Sequence, residues 1–202
     1  MRLRPGGDHA LLCEVADLDA AHRLRAAIAE AAYPGVIDVV PGWRTVLVVT
    51  QPGSVDLAAL ARHLSDLALP AVDAYEVTTH VVPVHYDGPD LPVVAEHSGL
   101  SVEEVVRRHA AVTYTVAFLG FQPGFPYLAG LDVSIATPRK DSPRTAVPTG
   151  AVGIAGDVTG IYPRSSPGGW QLIGHTDVTL FDVTATPAAL LAPGDLVQFE
   201  VV

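Results

Sequence analysis

Two hydrophobic periods alternate over residues 10–84. ALLCEV is a short apolar run of strand length, and DLDAAHRLRAAIAEAAY then places Leu18, Ala21, Leu24, Ile28 and Ala31 at helical spacing. Asp17 or Asp19 is positioned to cap that helix, and Pro34-Gly35 to stop it. VIDVV, the turn PGW and RTVLVVT predict a hairpin; VDLAALARHLSDLAL predicts a second amphipathic helix and AYEVTTHVVPV a closing strand. This β-α-β-β-α-β order is the ferredoxin-like arrangement. The expected class is α+β, with residues 1–82 forming a small α/β domain.

Residues 85–111 predict a helical lead-in to a second domain, 83–202. YDGPDLP supplies turn chemistry; LPVVAEHSG and SVEEVVRRHAA, with a Ser101-x-x-Glu104 capping box, predict two short helices separated by Gly99. Helices this short bridge domains or cap a barrel. From Thr113 the pattern changes to brief β-type runs broken by Gly and Pro: TYTVAFLG, AVGIAG, WQLIGHT, VTLFDV and LVQFEVV. Many short strands with turn signals between them predict a barrel or sandwich.

Three stretches break the strand rules. FLGFQPGFPYLAGLD, residues 118–132, holds four aromatics, two prolines and three glycines. That is much apolar bulk for a surface loop and too much Gly and Pro for a core strand. Pro123 and Pro126 stiffen a turn there, and Phe121, Phe125 and Tyr127 either plug a barrel mouth or meet a partner. In the second stretch, residues 136–163, two T/S-P-R units carry Arg139 and Arg144 on stiffened backbone, a placement suited to gripping a carboxylate or phosphate. The bland alternative is a connector whose arginines are solvated or pair with nearby Asp. The glycines at 150, 153, 156 and 160 would let backbone N–H groups approach an anion. Neither GxxxxGK[ST] nor GxGxxG occurs.

In the third stretch, SSPGGWQLIGHTD, His175 and Asp177 alternate along a strand and Ser165 and Ser166 lie upstream. With no GxSxG elbow, a serine hydrolase is disfavoured. His80, His85, His97 and His109 have no recognisable metal-ligand spacing.

The chain has 202 residues, 49% of them apolar, enough for a substantial core. Cys13 is the single cysteine, so an intrachain disulfide is excluded, and its place in an early strand suits a small buried hydrophobe. A formal net charge of −10 and one lysine argue against nucleic acid as a partner. No apolar window approaches a membrane span and the start has no secretory pattern, so no membrane is expected and the expected compartment is the cytoplasm. The charge is uneven: residues 118–177 hold four of the 12 basic residues and four of the 22 acidic ones. That neutral segment would let an anionic group approach.

GFQPGFPYLAGL, ATPR, SPRTAVPTGAVGIAGDVTGIYP, SPGGWQLIGHT, LFD and LLAPGDLVQFEVV, in this order and spacing, resemble the family of the 5-oxoprolinase B subunit, also described as allophanate hydrolase subunit 1. That family also includes the sporulation-kinase inhibitor of bacilli and the matching carboxyltransferase segment of urea amidolyase. The likeness is specific over roughly residues 80–202 and weaker before them. It implies a cyclophilin-like β-barrel after the small domain, in a chain inactive alone. With two further subunits, A and the homologous barrel protein C, it would hydrolyse 5-oxo-L-proline to L-glutamate at the expense of ATP with Mg2+. Phosphorylating the lactam oxygen would make its carbon electrophilic. No tightly bound cofactor is expected for this chain.

The matched motifs nominate Gly120, Phe121, Gln122, Pro123, Gly124, Phe125, Pro126, Tyr127, Pro148, Gly150, Gly153, Gly169, Trp170 and Gln171 for substrate or partner binding. Arg139, Arg144 and His175 are the catalytic candidates, either arginine serving as a clamp for the substrate carboxylate. Gln122 stands where the family often has a small residue, and His175 where Arg is common. An Arg replaced by His at an anion site would make binding pH-sensitive. Alternative readings are a histidine-kinase inhibitor, with the aromatics of residues 121–127 as its contact patch, and a component of an allophanate or urea-pathway hydrolase. The cyclophilin-like fold does not carry prolyl isomerase activity with it.

Overall fold

The computed structural model describes residues 1–70 and 77–202 and divides the chain into two compact units, Met1–Glu76 and Val77–Val202. In the first, β1 (Arg2–Pro5) and β2 (Ala10–Glu14) precede α1 (Leu18–Ala31), the hairpin of β3 (Val36–Pro41) and β4 (Thr45–Thr50), and α2 (Leu57–Asp66). The expected cap of α1 forms, with Asp17 accepting from the Ala20 N–H at 2.8 Å; α2 is capped by Asp56, which accepts from the Ala58 N–H at 2.8 Å. Leu24 and Ile28 of α1 and Leu60 and Leu64 of α2 are buried with Leu11, Cys13, Val46 and Val48 of the sheet. Burial raises the Cys13 thiol to about 11, which keeps it an inert hydrophobe.

One expected strand lies elsewhere. The sheet order is β1-β2-β4-β3, all antiparallel, so the N-terminal Arg2–Pro5 flanks β2. The strand assigned to this sheet by its pattern, β5 (Thr79–Val84), instead pairs in parallel with β13 (Leu196–Val201) in the second unit. Ala74, Tyr75 and Glu76 of that expected strand lie outside the described residues. The physical reason is that alternation sets which face of a strand is apolar, not which neighbour fills its hydrogen bonds.

The second unit is a curled seven-stranded sheet, ordered β12-β9-β10-β7-β6-β13-β5. Its remaining strands are β6 (Thr113–Leu119), β7 (Pro126–Ala129), β9 (Ala151–Ala155), β10 (Val158–Ile161) and β12 (Gln171–His175). The two edges meet where His85, just past β5, and His175 of β12 exchange backbone hydrogen bonds of 2.9 Å in both directions. A separate ribbon pairs β8 (Arg144–Val147) with β11 (Ser166–Gly168). The lead-in helices are α3 (Leu91–Ser98) and α4 (Val102–Ala110), and they cap the curl: Leu91, Val94, Ala95 and Val105 enter the same core as Val116, Ile154, Ile173 and Phe199. Ser101 caps α4 as its pattern predicts, accepting from the Glu104 N–H at 3.2 Å, but the Glu104 carboxylate turns to Arg107 and Arg108. VTLFDV is not a ladder strand and makes only an isolated bridge between Phe181 and Ala189. Leu180 dives into the core, after which Asp182 accepts from the Thr184 N–H in a turn that leaves Val183 81% exposed.

His109 is fully buried at the centre of this core. Thr159 spends its hydroxyl proton on the Gly153 carbonyl, so it accepts from His109 Nε2–H, and His109 Nδ1 is left to accept from the Tyr86 hydroxyl at 2.8 Å. This fixes one neutral tautomer, and burial lowers the imidazole to about 3. Above an ordinary imidazole value of 6.5 both the folded and the unfolded chain hold it neutral. Below that value the unfolded chain takes up a proton that the folded chain refuses, so stability falls with pH by up to about 1.4 kcal/mol per unit from this group. A urea-denaturation series between pH 7 and pH 5 is expected to show this loss, and His109→Gln is expected to flatten it.

Candidate functional site

The turn after β6 is built for close approach. Gly120 accepts from the Gln122 N–H at 2.7 Å and donates to the Phe125 carbonyl at 3.1 Å, which puts Phe121 in the left-handed region at φ +65°. For a residue with a Cβ this costs on the order of 1–2 kcal/mol. Gly124, at φ +79°, lies against Phe181, where a Cβ would come within 2.7 Å of the Phe181 Cβ. The chain then re-enters the sheet at Pro126, opposite Leu119. As a result Phe125 is buried and Phe121, four residues earlier, is 62% exposed. The aromatic segment thus plugs and protrudes at once.

Phe125 is the hub of an aromatic cluster, edge-to-face with Phe121 at 5.4 Å, Tyr127 at 5.3 Å, Tyr162 at 5.1 Å and Trp170 at 5.2 Å between centroids. Such pairs contribute roughly 0.5–1.5 kcal/mol each beyond area burial. Two of the glycines expected to greet an anion, Gly153 and Gly160, make room for these rings instead. A Cβ on Gly160 would lie 2.6 Å from the Pro126 carbonyl oxygen and 3.0 Å from the Trp170 ring, and one on Gly153 would lie 3.1 Å from the Trp170 Cβ. Their N–H groups are also committed: Gly150 donates to the Tyr162 carbonyl at 2.7 Å and Gly156 to the Thr137 carbonyl at 2.8 Å, while Gly153 and Gly160 sit opposite each other in the β9–β10 ladder. This stretch therefore does not fit a phosphate cradle.

Between the cluster and the β8–β11 ribbon lies a cavity of about 230 Å³, lined by Phe121, Phe125, Tyr127, Tyr162, Trp170 and Arg139, with Pro143, Pro167, Gly168 and Gly169 completing the wall. Arg139 also lines two further cavities. One, of about 360 Å³, is of mixed character and includes Val93, His97, Lys140, Asp141, Ser142 and Gln171; the other, of about 390 Å³, includes Tyr127, Ala155 and Trp170. Burial holds the Tyr127 and Tyr162 phenols above their ordinary range, and the positive charge of Arg139 counters this at both. Both phenols are therefore hydrogen-bond donors at neutral pH.

The two candidate arginines have different fates. Arg144 directs its guanidinium to Asp90, with 2.6 Å to each carboxylate oxygen, and to the Trp170 carbonyl at 3.3 Å. Asp90 is 3% exposed and also accepts from Lys140 at 3.2 Å and the Leu172 N–H at 2.7 Å. Burial pushes its carboxyl up, but the Arg144 hydrogen bond and the Leu172 and Lys140 bonds outweigh that and hold it below the usual carboxylate range. Arg144 thus joins the ribbon to the lead-in helices and is not free to hold a ligand. Arg139, among the described residues, makes no hydrogen bond or ion pair and is exposed. Arg164 leans on Gln122 at 3.3 Å.

His175 lines none of these three cavities. It lies at the seam of the sheet, stacked on His85 with centroids 5.0 Å apart, and its Nδ1 meets Asp87 at 2.8 Å. His175 thus takes Asp87 as its carboxylate neighbour, in keeping with the disfavoured reading of a serine, His175 and Asp177 set. Of the other candidates, Trp170 and Gly169 line the aromatic cavity. Gln171 is buried, with its Nε2 donating to the Pro138 carbonyl at 2.9 Å and its Oε1 without a partner. Pro148 accepts from the Ala151 N–H in a turn, Gly150 presses on the Thr176 backbone, and Pro123 is exposed. The sequence reading passed over Tyr162 and Asp90. Tyr162 sits inside a run read for its glycines, and Asp90 inside one read as a turn.

A model of the carboxyltransferase domain, subdomain C and D, matches residues 1–191. The chain is 46% identical over 175 residues to a protein from Escherichia coli O157:H7 named as the B subunit of 5-oxoprolinase, covering 82% of this chain and 78% of that one. It is 42% identical over 193 residues to the protein of the same name from Bacillus subtilis (strain 168), covering 88% and 80%. Among solved structures, TTHA0988 superposes with a TM-score of 0.85 at 36% identity over 100% of this chain, which spans 40% of that one. The Kluyveromyces lactis urea carboxylase superposes with a TM-score of 0.71 at 20% identity over 99% of this chain and 21% of its own, a likeness of fold alone.

Proposed function

Because this chain belongs to the carboxyltransferase domain, subdomain C and D, family, and its relatives are named as the B subunit of 5-oxoprolinase, we propose that it is one component of an ATP-dependent 5-oxoprolinase. In this reading it works with two further subunits, A and the homologous C, to convert 5-oxo-L-proline to L-glutamate, and is inactive alone. Its second unit is a cyclophilin-like barrel that carries part of the substrate site. The observation that carries the reading is Arg139: a guanidinium unpaired among the described residues, at the edge of an aromatic cavity, in a neutral segment of an otherwise acidic chain. The substrate is an anion on a small apolar ring, and Arg139 holds its carboxylate. Arg144 and His175 take structural parts, one through Asp90 and the other at the sheet seam.

ATP belongs to the assembly in this reading, and the glycine stretch of residues 150–160 does not hold it. The kinase-inhibitor and urea-pathway alternatives draw on no feature that the oxoprolinase reading leaves out. The test is reconstitution. The chain mixed with its cognate A and C partners is expected to release glutamate from 5-oxoproline only when ATP is supplied, while each component alone releases none. ATP-dependent turnover of urea or allophanate by the complete set, with none of 5-oxoproline, would overturn it.

A further inference from the structure

We infer that the aromatic cavity beside Arg139 is the ring site of the substrate and that Phe121 and Tyr127 set its preference for a five-membered lactam acid; this rests on the oxoprolinase reading above. The cavity, about 230 Å³, falls below the roughly 300–1,000 Å³ typical of drug-sized ligands, so it takes one small ring. Its walls are chemically divided. Phe125 and Trp170 present apolar surface suited to the methylene edge of a saturated ring, while the guanidinium of Arg139 stands at the rim. Tyr127 lines the same wall; its hydroxyl has no hydrogen-bond partner among the described residues, and burial keeps it protonated. A carboxylate has two oxygens, and the site offers two donors, one from Arg139 and one from Tyr127.

Phe121 supplies an independent observation. Its ring is 62% exposed, yet it is held by a left-handed turn so that it meets Phe125 and Tyr162 edge-on at the cavity mouth. A phenyl group held outward by an unfavourable backbone, in edge-on contact with the cluster, becomes covered when a ring enters beneath it. Gly168 fixes the opposite wall, since a Cβ there would lie 2.5 Å from the Tyr162 hydroxyl. Tyr162 is itself buried, whereas Phe121 is exposed, so among the aromatic walls of the cavity the one at Phe121 has the most room to move.

In a fitted apolar pocket one extra methylene changes the specificity constant by roughly ten- to two-hundredfold. The wild-type complex is therefore expected to prefer 5-oxoproline to its six-membered ring homologue by at least about tenfold in kcat/KM. Phe121→Ala is expected to shrink that preference about tenfold, chiefly by raising turnover of the larger ring. Tyr127→Phe is expected to raise KM for both acids by about five- to tenfold with kcat little changed. Equal loss on both rings in Phe121→Ala, or no change in either variant, would overturn the assignment. Calorimetric binding of the two acids to the complex without ATP reads the same ring preference. A complex that binds them with this preference but releases no glutamate fails the activity reading alone; one that binds neither fails the ring site.

Discussion

Arg139→Ala in the reconstituted enzyme is expected to raise KM for 5-oxoproline by about ten- to a hundredfold, the equivalent of about 1.5–3 kcal/mol lost from a charge-assisted contact. The loss is expected mainly in KM because a carboxylate that takes no part in breaking the lactam bond is held equally before and during reaction. Arg139→Lys is expected to recover only part of it, since an ammonium keeps the charge but not the planar fork. Arg139 is exposed and makes no hydrogen bond or ion pair among the described residues, so the variant is expected to fold as the wild type does. Steady-state kinetics over a substrate range, with the thermal midpoint as control, decide the matter. An unchanged KM in both variants would remove Arg139 from the substrate site.

The second large effect is on stability. Asp90→Ala is expected to cost about 3–5 kcal/mol, because it leaves the guanidinium of Arg144 and the Leu172 N–H facing the place of a buried acceptor. Asp90→Ala combined with Arg144→Met is expected to regain part of the loss, as the stranded charge is then gone. Urea denaturation followed by the aromatic near-ultraviolet signal measures both. Equal loss in the single and double variants would mean that removing the Arg144 charge relieves nothing, so that the stranded guanidinium is not the source of the loss. Since Asp90 ionises more readily in the folded chain than in the unfolded one, its contribution is complete above the ordinary carboxylate range. It is lost as pH falls through the lowered folded value. Here acid weakens the chain by protonating Asp90, whereas at His109 it does so by protonating the unfolded chain.

Residues near one another in sequence were read well. α1 starts behind Asp17, α2 lies where its apolar stripe put it, and Ser101 caps α4, since a cap and an apolar stripe are set within one or two turns of chain. The aromatic and arginine segments were legible too, because Gly, Pro and exposed apolar bulk conflict with a simple strand. Their division of labour was not. Two T/S-P-R units five residues apart look alike, and only a carboxylate 54 positions before Arg144 separates the structural arginine from the one unpaired among the described residues. The glycines were read as anion contacts because a missing Cβ says that something comes close, without saying whether it is a ligand or the Trp170 ring.

By itself, then, the sequence determined where most of the helices and strands lie, VTLFDV excepted, and which of their faces are apolar; each follows from interactions within a few residues of chain. The tertiary structure alone decided that Thr79–Val84 pairs with Leu196–Val201, that His175 closes the sheet against His85, and that Arg139 meets the aromatic cavity while Arg144 meets Asp90. These are contacts between groups far apart in sequence. Their partners are chosen by which hydrogen bonds and charges the folded core leaves unsatisfied, and that is a property of the packed whole.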